Sequence, residues 1–473
     1  KTKEALRDIS IANKIAEVIE IRTDYISDLD LPILLKSAKK PVIITHRKYD
    51  EGGFLQTHEN ERLEILKSAI KLRADFIDIE YTSGNEIINE LKKRKRKTKI
   101  ILSYHNFKET PTNLEEIYSK LNKINCDIVK IVTYASSIND NLRIFGFLEG
   151  KKNLIAFCMG EYGQLSRILA IKYGSLLTYS SLSYGKESAE GQLTGEMLKE
   201  IYHVHKINKN TKIYGLLGNP IKESKGYIIH NNAFRKLGLN NVYVNFLVDD
   251  LEFFFKEFRG FFSGLSVTMP FKIDVMKYLD RIDVNAEKIK AINTIVRDNN
   301  KLIGYNTDYI GAIKAIKDKT SIKDKKVLIL GAGGVARAIV YGVLMENGIA
   351  IITDINNVKS EYLANEFDCD SCKFTEINKI KPDILINATP VGMIPNIDDI
   401  SVSEDYLRKE MTVFDVVYSP IETKLIKTAR DKGCKVILGI DMFIYQAVEQ
   451  FRVWTTKNVN AELMRRSILE NTD

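Results

Sequence analysis

The chain has 473 residues, 44% of them hydrophobic and 28% charged, an ordinary balance for a globular protein that buries several cores. At about 100–200 residues per domain, this length implies two to four domains. The net charge of +8 is modest, and no run approaches the roughly 18 consecutive apolar residues of a membrane span, so no membrane-spanning helix is expected.

Much of the positive excess comes from one run, Lys92–Lys97. It has no interleaved aromatics and no continuation as a stripe, so it reads as a solvated helix end rather than a nucleic-acid surface. Expected partners are therefore small molecules, with neither nucleic acid nor membrane. The five cysteines (Cys126, Cys158, Cys369, Cys372 and Cys434) are odd in number and lack a disulfide-scaffold spacing. That points to a reducing, cytoplasmic setting, with room upstream of Lys1 for a cleaved organelle-targeting peptide. Cys369 and Cys372 form a lone CxxC, read as coincidence, and no metal is expected.

From residue 16 to about 182, short apolar strands alternate with amphipathic helical stretches. The expected strands are Ala16–Arg22, Pro41–Arg47, Phe76–Tyr81, Lys99–His105, Ile128–Tyr134, Leu154–Gly160 and Leu176–Leu182. Helical spacing marks segments between them such as Asn60–Arg73 and Asn113–Ile124. Regular alternation of this kind implies a parallel sheet closed as a (β/α)8 TIM barrel. The residues before Ala16 read as the helix that follows a first strand, and the chain opens on Lys1, so that strand is expected upstream.

Side chains two apart share a strand face. Glu20 and Arg22, Thr45 and Arg47, Asp78 and Glu80, Ser103 and His105, and Lys130 between Ile128 and Val132 thus point inward together, near the strand ends where barrel sites form. One inward charge is a structural ion pair, the simplest reading of Asp78. Five adjacent strands doing so make a site, because each buried charge costs several kcal/mol, to order of magnitude, unless it is paired or used. Lys130 interrupts an otherwise apolar strand. Desolvation and nearby cations lower a lysine's pKa and free its amine to form an imine with a ketone. His105 is placed as general acid/base, Glu80 to fix its tautomer, and Arg22, Arg47 and Arg167 to hold a carboxylate and hydroxyls.

The segments Glu20-Ile-Arg-Thr-Asp, Glu51-Gly-Gly, Asp78-Ile-Glu, Ser103-Tyr-His-Asn-Phe, Thr110-Pro, Val129-Lys-Ile, Leu165-Ser-Arg and Ser188-Ala-Glu-Gly-Gln together resemble type I 3-dehydroquinate dehydratase over residues 1–207. The resemblance implies that Lys130 forms the imine, His105 moves the proton and Glu80 supports His105. It also implies that Glu20, Arg22, Arg47, Arg167, Ser188 and Gln192 bind substrate. Glu190 stands where the family usually has proline, in the loop that closes over the substrate.

A polar stretch, Asn208–Lys212, precedes a new strand and turn at Ile213–Gly218. Farther on, Lys325–Ala336 reads as a strand, a glycine loop and a helix. Gly331 makes the tight turn, Gly333 and Gly334 let a pyrophosphate approach the backbone, and the small Ala336 allows close packing. Asp354, ending strand Ile349–Thr353, completes a dinucleotide fingerprint. A carboxylate there accepts the ribose diol of NAD and repels the 2′-phosphate of NADP, so the cofactor is NAD(P) with NAD favoured. The alternative is a strand-end aspartate that only starts a turn with Asn356 and Asn357.

Leu265-Ser-Val-Thr-Met-Pro-Phe-Lys, Ala291-Ile-Asn-Thr-Ile, Gly304-Tyr-Asn-Thr-Asp, Asn387-Ala-Thr-Pro-Val-Gly-Met, Phe414-Asp-Val-Val-Tyr-Ser-Pro and Gln446-Ala-Val-Glu-Gln-Phe resemble shikimate dehydrogenase. The resemblance implies a substrate domain (212–318, completed by a C-terminal helix, 441–470) and a Rossmann-like domain (319–440). It makes Lys272 and Asp308 the catalytic pair. It places Ser224, Thr268, Asn293, Tyr418 and Gln446 on the substrate, and Asn387, Thr389 and Gly439 on the cofactor. The family's Asn-Arg-Thr, which binds the 2′-phosphate, reads Asp354-Ile-Asn here. Its Ser-x-Ser reads Lys222-Glu-Ser224, where Lys222 either pairs with the substrate carboxylate or turns to solvent. Phe271 replaces a more usual histidine.

The implied protein is a bifunctional enzyme that dehydrates 3-dehydroquinate and reduces the 3-dehydroshikimate formed to shikimate. One alternative makes the second half a quinate or quinate/shikimate dehydrogenase. Another is a regulatory sensor built from worn-out domains, which would be expected to lose Lys130, His105, Lys272 or Asp308; all four are present.

Overall fold

The computed structural model describes residues 1–470. The chain forms two compact units, Lys1–Thr211 and Lys212–Asp473.

In the first unit, helix Thr2–Ile15 leads into six strands. These are β1 (Ile19–Arg22), β2 (Val42–Thr45), β3 (Phe76–Glu80), β4 (Lys99–His105), β5 (Ile128–Tyr134) and β6 (Leu154–Met159). They form one parallel sheet in chain order, with β1 and β6 at its edges. Strands covered on both faces read as near-continuous apolar runs, and β2, β5 and β6 are buried along almost their whole length. Helices Glu59–Lys71 and Leu114–Lys123 fall where helical spacing placed them.

The expected seventh strand, Leu176–Leu182, is not one. It makes one isolated bridge, between Ser181 and Thr194, and one bond to β6, from the Leu176 amide to the Leu154 carbonyl (2.9 Å). The cause lies on the outer edge of β6. There the amide of Ala156 donates to Ser175 Oγ (3.2 Å), that of Cys158 to Ser166 Oγ (2.8 Å), and that of Gly160 to the Glu190 carbonyl. Serine hydroxyls and a loop satisfy the donors that a neighbouring strand would have used. Among the described residues the first unit forms an open six-stranded half-barrel rather than a closed ring of strands. The basic run also has a structural use: it ends helix Asn85–Arg94, and Lys95 pairs with Asp127 (2.6 Å).

The second unit contains two further sheets. β7 (Lys212–Gly218), β8 (Asn241–Leu247), β9 (Gly264–Val267), β10 (Arg281–Ile282), β11 (Thr294–Asp298) and β12 (Lys301–Tyr305) form a mixed sheet in the order β10-β12-β11-β9-β7-β8. β13 (Lys326–Leu330), β14 (Ile349–Thr353), β15 (Asp370–Ser371), β16 (Ile384–Asn387), β17 (Thr412–Asp415) and β18 (Lys435–Ile437) form a parallel sheet in the order β15-β14-β13-β16-β17-β18, the doubly wound arrangement of Rossmann-like domains. The C-terminal helices Gly439–Thr455 and Ala461–Leu469 return to the mixed sheet. Ile444, Phe451, Trp454 and Met464 pack with Tyr214, Ile229 and Phe234 in one buried cluster. Helix Asp308–Lys317 lies flush against Gly439–Thr455 because Gly311 has no side chain; a Cβ there would sit 2.8 Å from the Gln446 nitrogen. Among the described residues no helix is long and apolar enough to cross a membrane.

Candidate active sites

The parallel register of the first unit sets Arg22 opposite Thr45, Thr45 opposite Asp78, Glu80 opposite Ser103, and Ser103 opposite Lys130. A band of polar side chains therefore crosses the inner face. Lys130, 5% exposed, faces this interior and donates to Asp78 Oδ2 at 2.9 Å. Arg47 Nη1 and Ser103 Oγ donate to the other oxygen of Asp78, at 2.9 and 2.7 Å. Burial works against the charge on Asp78, but Arg47 and Lys130 beside it hold its carboxyl well below the usual carboxylate range. The group expected to be a bystander ion pair is thus the hub of the site. The nearest partner of Lys130 is this carboxylate, rather than the cations expected around it.

His105 lies two residues beyond Ser103 on the strand beside Lys130. Burial, reinforced by the charges of Arg47 and Lys130, holds its imidazole well below the usual range, so it is neutral at pH 7. The expectation that Glu80 orients it needs correction. His105 Nδ1 meets Glu51 Oε2 at 3.1 Å, and Glu51 also accepts from the Thr82 hydroxyl. Glu80 is saturated elsewhere: Arg47 Nη1 (2.8 Å) and the Lys48 amide bind one oxygen, and Arg62 Nη1 (2.6 Å) the other. Arg62 comes from a helix and is 2% exposed, so it demands a buried carboxylate. The Glu51-Gly-Gly motif carried the signal for Glu51, but nothing in it told which atom the carboxylate would meet. With Nδ1–H given to Glu51, Nε2 is the basic nitrogen.

The remaining arginines divide. Arg22 forms a fork on Asp24 (2.8 and 2.7 Å), and Glu20 accepts from Thr45 Oγ1 at 2.7 Å. Arg167 is 1% exposed, makes only long contacts with the carbonyls of Tyr179 and Glu190 (3.5 and 3.4 Å), and leaves Nε without a partner. Burial pushes it down to about 10. A buried guanidinium without a carboxylate keeps donors free for an anion. Ser188 donates twice to Gln192 Oε1, and their loop is held at the end of β6 through Glu190, whose carboxylate accepts from the Tyr134 hydroxyl.

In the second unit, Lys272 Nζ donates to Asp308 Oδ2 at 2.6 Å, and Asn293 Nδ2 donates to Oδ1 of the same carboxylate at 2.8 Å. Asn293 also reaches Thr307 Oγ1 and, at 3.4 Å, Gln446 Oε1. Asp308 opens helix Asp308–Lys317, where a carboxylate is favoured. Tyr418 stacks on Phe443 and hydrogen-bonds Ser224, and burial pushes its phenol up to about 12. Lys222 is exposed, in keeping with the solvent-facing alternative. Thr268 directly follows β9.

The glycine loop links β13 to helix Gly334–Met345. Gly331 has φ +105°, and a Cβ there would lie 2.9 Å from the Ala388 carbonyl; around Gly333 the space is open to 4 Å. Asp354 does two things: Oδ1 accepts from the Asn356 amide (2.8 Å), as a turn aspartate does, and Oδ2 accepts from the Ala332 amide of the glycine loop (2.9 Å). An open backbone cradle at a helix N-terminus beside a carboxylate fits a dinucleotide. Asn387 Oδ1 accepts from both the amide and the hydroxyl of Thr389, shaping the turn beside Gly331. Gly439 lets helix Gly439–Thr455 start against Val417, whose carbonyl would lie 2.3 Å from a Cβ. Asp415, which sequence reasoning left without a role, joins these parts. It accepts from Asn387 Nδ2 (2.9 Å), the Val417 amide (3.1 Å) and Thr423 Oγ1 (2.6 Å), and burial pushes it up to about 6. The thiols of Cys369 and Cys372 are free, and burial raises both.

Residues 1–209 match the family Type I 3-dehydroquinase, 216–295 the shikimate dehydrogenase substrate binding domain, and 439–469 the shikimate 5′-dehydrogenase C-terminal domain. A chloroplastic bifunctional 3-dehydroquinate dehydratase/shikimate dehydrogenase of Arabidopsis thaliana is 36% identical over 93% of this chain and 78% of its own. A crystal structure of a shikimate dehydrogenase in complex with NADP+ is 39% identical, with a TM-score of 0.54 over 56% of this chain and 98% of its own. Another, from Listeria monocytogenes in complex with shikimate and NAD, is 33% identical, with a TM-score of 0.50 over 54% of this chain and 96% of its own. With two separate polar sites in two units and a relative that matches across both, the chain belongs to the bifunctional 3-dehydroquinate dehydratase/shikimate dehydrogenase family.

Proposed function

We propose that the Lys130 amine forms an imine with the ketone of 3-dehydroquinate, and that Lys272 and Asp308 serve the reduction of the resulting 3-dehydroshikimate to shikimate. The observation that carries the first half is a buried lysine and a neutral histidine on adjacent strands, near a buried arginine with no anion. Arg167 takes the substrate carboxylate. His105, with Nε2 basic, removes the proton beside the imine carbon and returns it to the departing hydroxyl, which leaves as water. Hydrolysis of the imine then frees Lys130. Asp78 aims the amine, Glu51 orients His105, and Glu20, Arg22, Arg47, Ser188 and Gln192 surround the ring hydroxyls.

In the second unit Lys272, oriented by Asp308, supplies the proton at the carbonyl oxygen. Asn293 and Gln446 hold that pair, and Ser224, Thr268 and Tyr418 bind the rest of the substrate. The cofactor is a nicotinamide dinucleotide, which when bound supplies the two electrons of the reduction. Gly331, Gly333 and Gly334 would hold its pyrophosphate, with Asn387, Thr389 and Gly439 shaping the wall. Asp354 keeps lone pairs for a ribose diol, and it favours NAD over NADP because its charge repels a 2′-phosphate. Relatives of both habits exist: one similar structure carries NADP+ and the other NAD.

The test is 3-dehydroquinate plus reduced cofactor, followed by loss of nicotinamide absorbance and product identification. Shikimate is expected, with NADH used better than NADPH. Lys130→Ala should abolish dehydration and borohydride trapping while leaving the reduction of 3-dehydroshikimate intact; dehydration at the wild-type rate would refute the imine. Cofactor oxidation by that variant with 3-dehydroquinate alone would instead report a quinate dehydrogenase.

A further inference from the structure

Beside Lys130 stands a side chain that none of the foregoing roles uses. The ring of Tyr179 lies 4.3 Å from Lys130 Nζ and 5.9 Å from Phe157, over which the Arg167 guanidinium sits at 4.9 Å. The backbone carbonyl of Tyr179 faces Arg167. The tyrosine is thus wedged between the amine that takes a ketone and the cation that takes a carboxylate.

Its hydroxyl is shut off from solvent and has no hydrogen-bond partner. The charged groups that act on it are Glu20, Asp78 and Arg47. Each is already engaged: Glu20 by Thr45, Asp78 by Arg47, Ser103 and Lys130, and Arg47 by Asp78, Glu80 and Ser103. A buried hydroxyl without a partner destabilises the protein that carries it. A phenylalanine would keep the contacts with Lys130 and Phe157 without that cost. Arg167 Nε, which waits for the substrate, is likewise without a partner.

We propose that the Tyr179 hydroxyl is a substrate-binding group that hydrogen-bonds a ring hydroxyl of the cyclic keto acid held between Lys130 and Arg167. This rests on the dehydratase reading of the same pocket. A ligand that satisfies all three groups at once carries a ketone for Lys130, a carboxylate for Arg167 and an alcohol for Tyr179. The phenol therefore discriminates hydroxylated rings from deoxygenated ones, since a site built to bond a hydroxyl is left unpaired by an analogue that lacks it.

The experiment is Tyr179→Phe in the full chain, read three ways. Without ligand the variant should melt at the wild-type temperature or above, because the group removed was unpaired. The KM for 3-dehydroquinate should rise about tenfold with kcat within about twofold, the pattern of lost binding in ground and transition states alike. A substrate analogue lacking the partner hydroxyl should be handled alike by both proteins. A lower melting temperature, which would reveal a structural partner for the hydroxyl, or a KM within about twofold of wild type would overturn the inference. Borohydride trapping separates the two failures. If wild-type enzyme is not trapped with 3-dehydroquinate, the dehydratase reading itself falls; if it is trapped and Tyr179→Phe has an unchanged KM, only the role of Tyr179 falls.

Discussion

Asp354 is a turn former by its contacts and, on the reading proposed above, a cofactor selector as well. Its two oxygens bond the Asn356 amide and the Ala332 amide, so the carboxylate is fixed at the rim of the glycine loop. A fixed negative charge there opposes a 2′-phosphate through space while accepting a diol. Replacing it with serine removes the repulsion and keeps a small polar group. Asp354→Ser should raise the ratio of kcat/KM for NADPH over NADH by about tenfold or more, which corresponds to ~1.4 kcal/mol of differential binding. Steady-state kinetics with both cofactors checks this, and an unchanged ratio would reduce Asp354 to its turn.

At the scale of elements, strand ends and loops do the positioning. The outer edge of β6 is closed by Ser166, Ser175 and the Glu190 loop, which brings Arg167 and the Ser188–Gln192 turn to one place. The end of β17 plays a similar part in the second unit, where Asp415 ties the Asn387 turn, Val417 and the Thr423 cap of helix Lys424–Asp431 together. Burial raises this carboxyl to about 6 from an ordinary 3.8, so between those values the native protein keeps a proton that the unfolded chain has lost. Stability should therefore fall as pH rises from about 4 to 6 and level off above, by an amount on the order of 2–3 kcal/mol. Asp415→Asn keeps the oxygen that accepts from Asn387 and Val417, and Thr423 can turn its hydroxyl to accept. The variant should match or exceed wild-type stability at pH 7 and lose the slope between pH 4 and 6, as chemical denaturation across pH would report. A loss above about 2 kcal/mol at pH 7 would mean that the negative charge itself holds the turn.

For the molecule as a whole, each unit has its own buried clusters and its own set of polar side chains. Whole shikimate dehydrogenase chains are covered to 96–98% by little more than half of this one, so the second unit corresponds to a protein that stands alone. Residues 212–473 produced separately should reduce 3-dehydroshikimate with a kcat/KM within about twofold of the full chain. A loss of tenfold or more in that assay would show that the first unit contributes to the second site.

Period-two and helical patterning, together with the side chains that broke it, were enough to place β4, β5 and β14 to the residue, the inward face bearing Lys130 and His105, and the glycine loop before Asp354, because these depend on neighbours along one strand or turn. The sequence by itself also brought Lys272 and Asp308 forward, through motifs resembling a known family. Only the tertiary structure decided which carboxylate meets which cation. Glu51 rather than Glu80 bonds His105 because Arg62, from the helix before β3, claims Glu80. Likewise Leu176–Leu182 has strand composition, but Ser166, Ser175 and the Glu190 carbonyl satisfy the donors of the β6 edge it would have joined. Hydrogen bonds are short-ranged and each donor or acceptor is spent only a few times, so pairings among groups distant in sequence are settled in space.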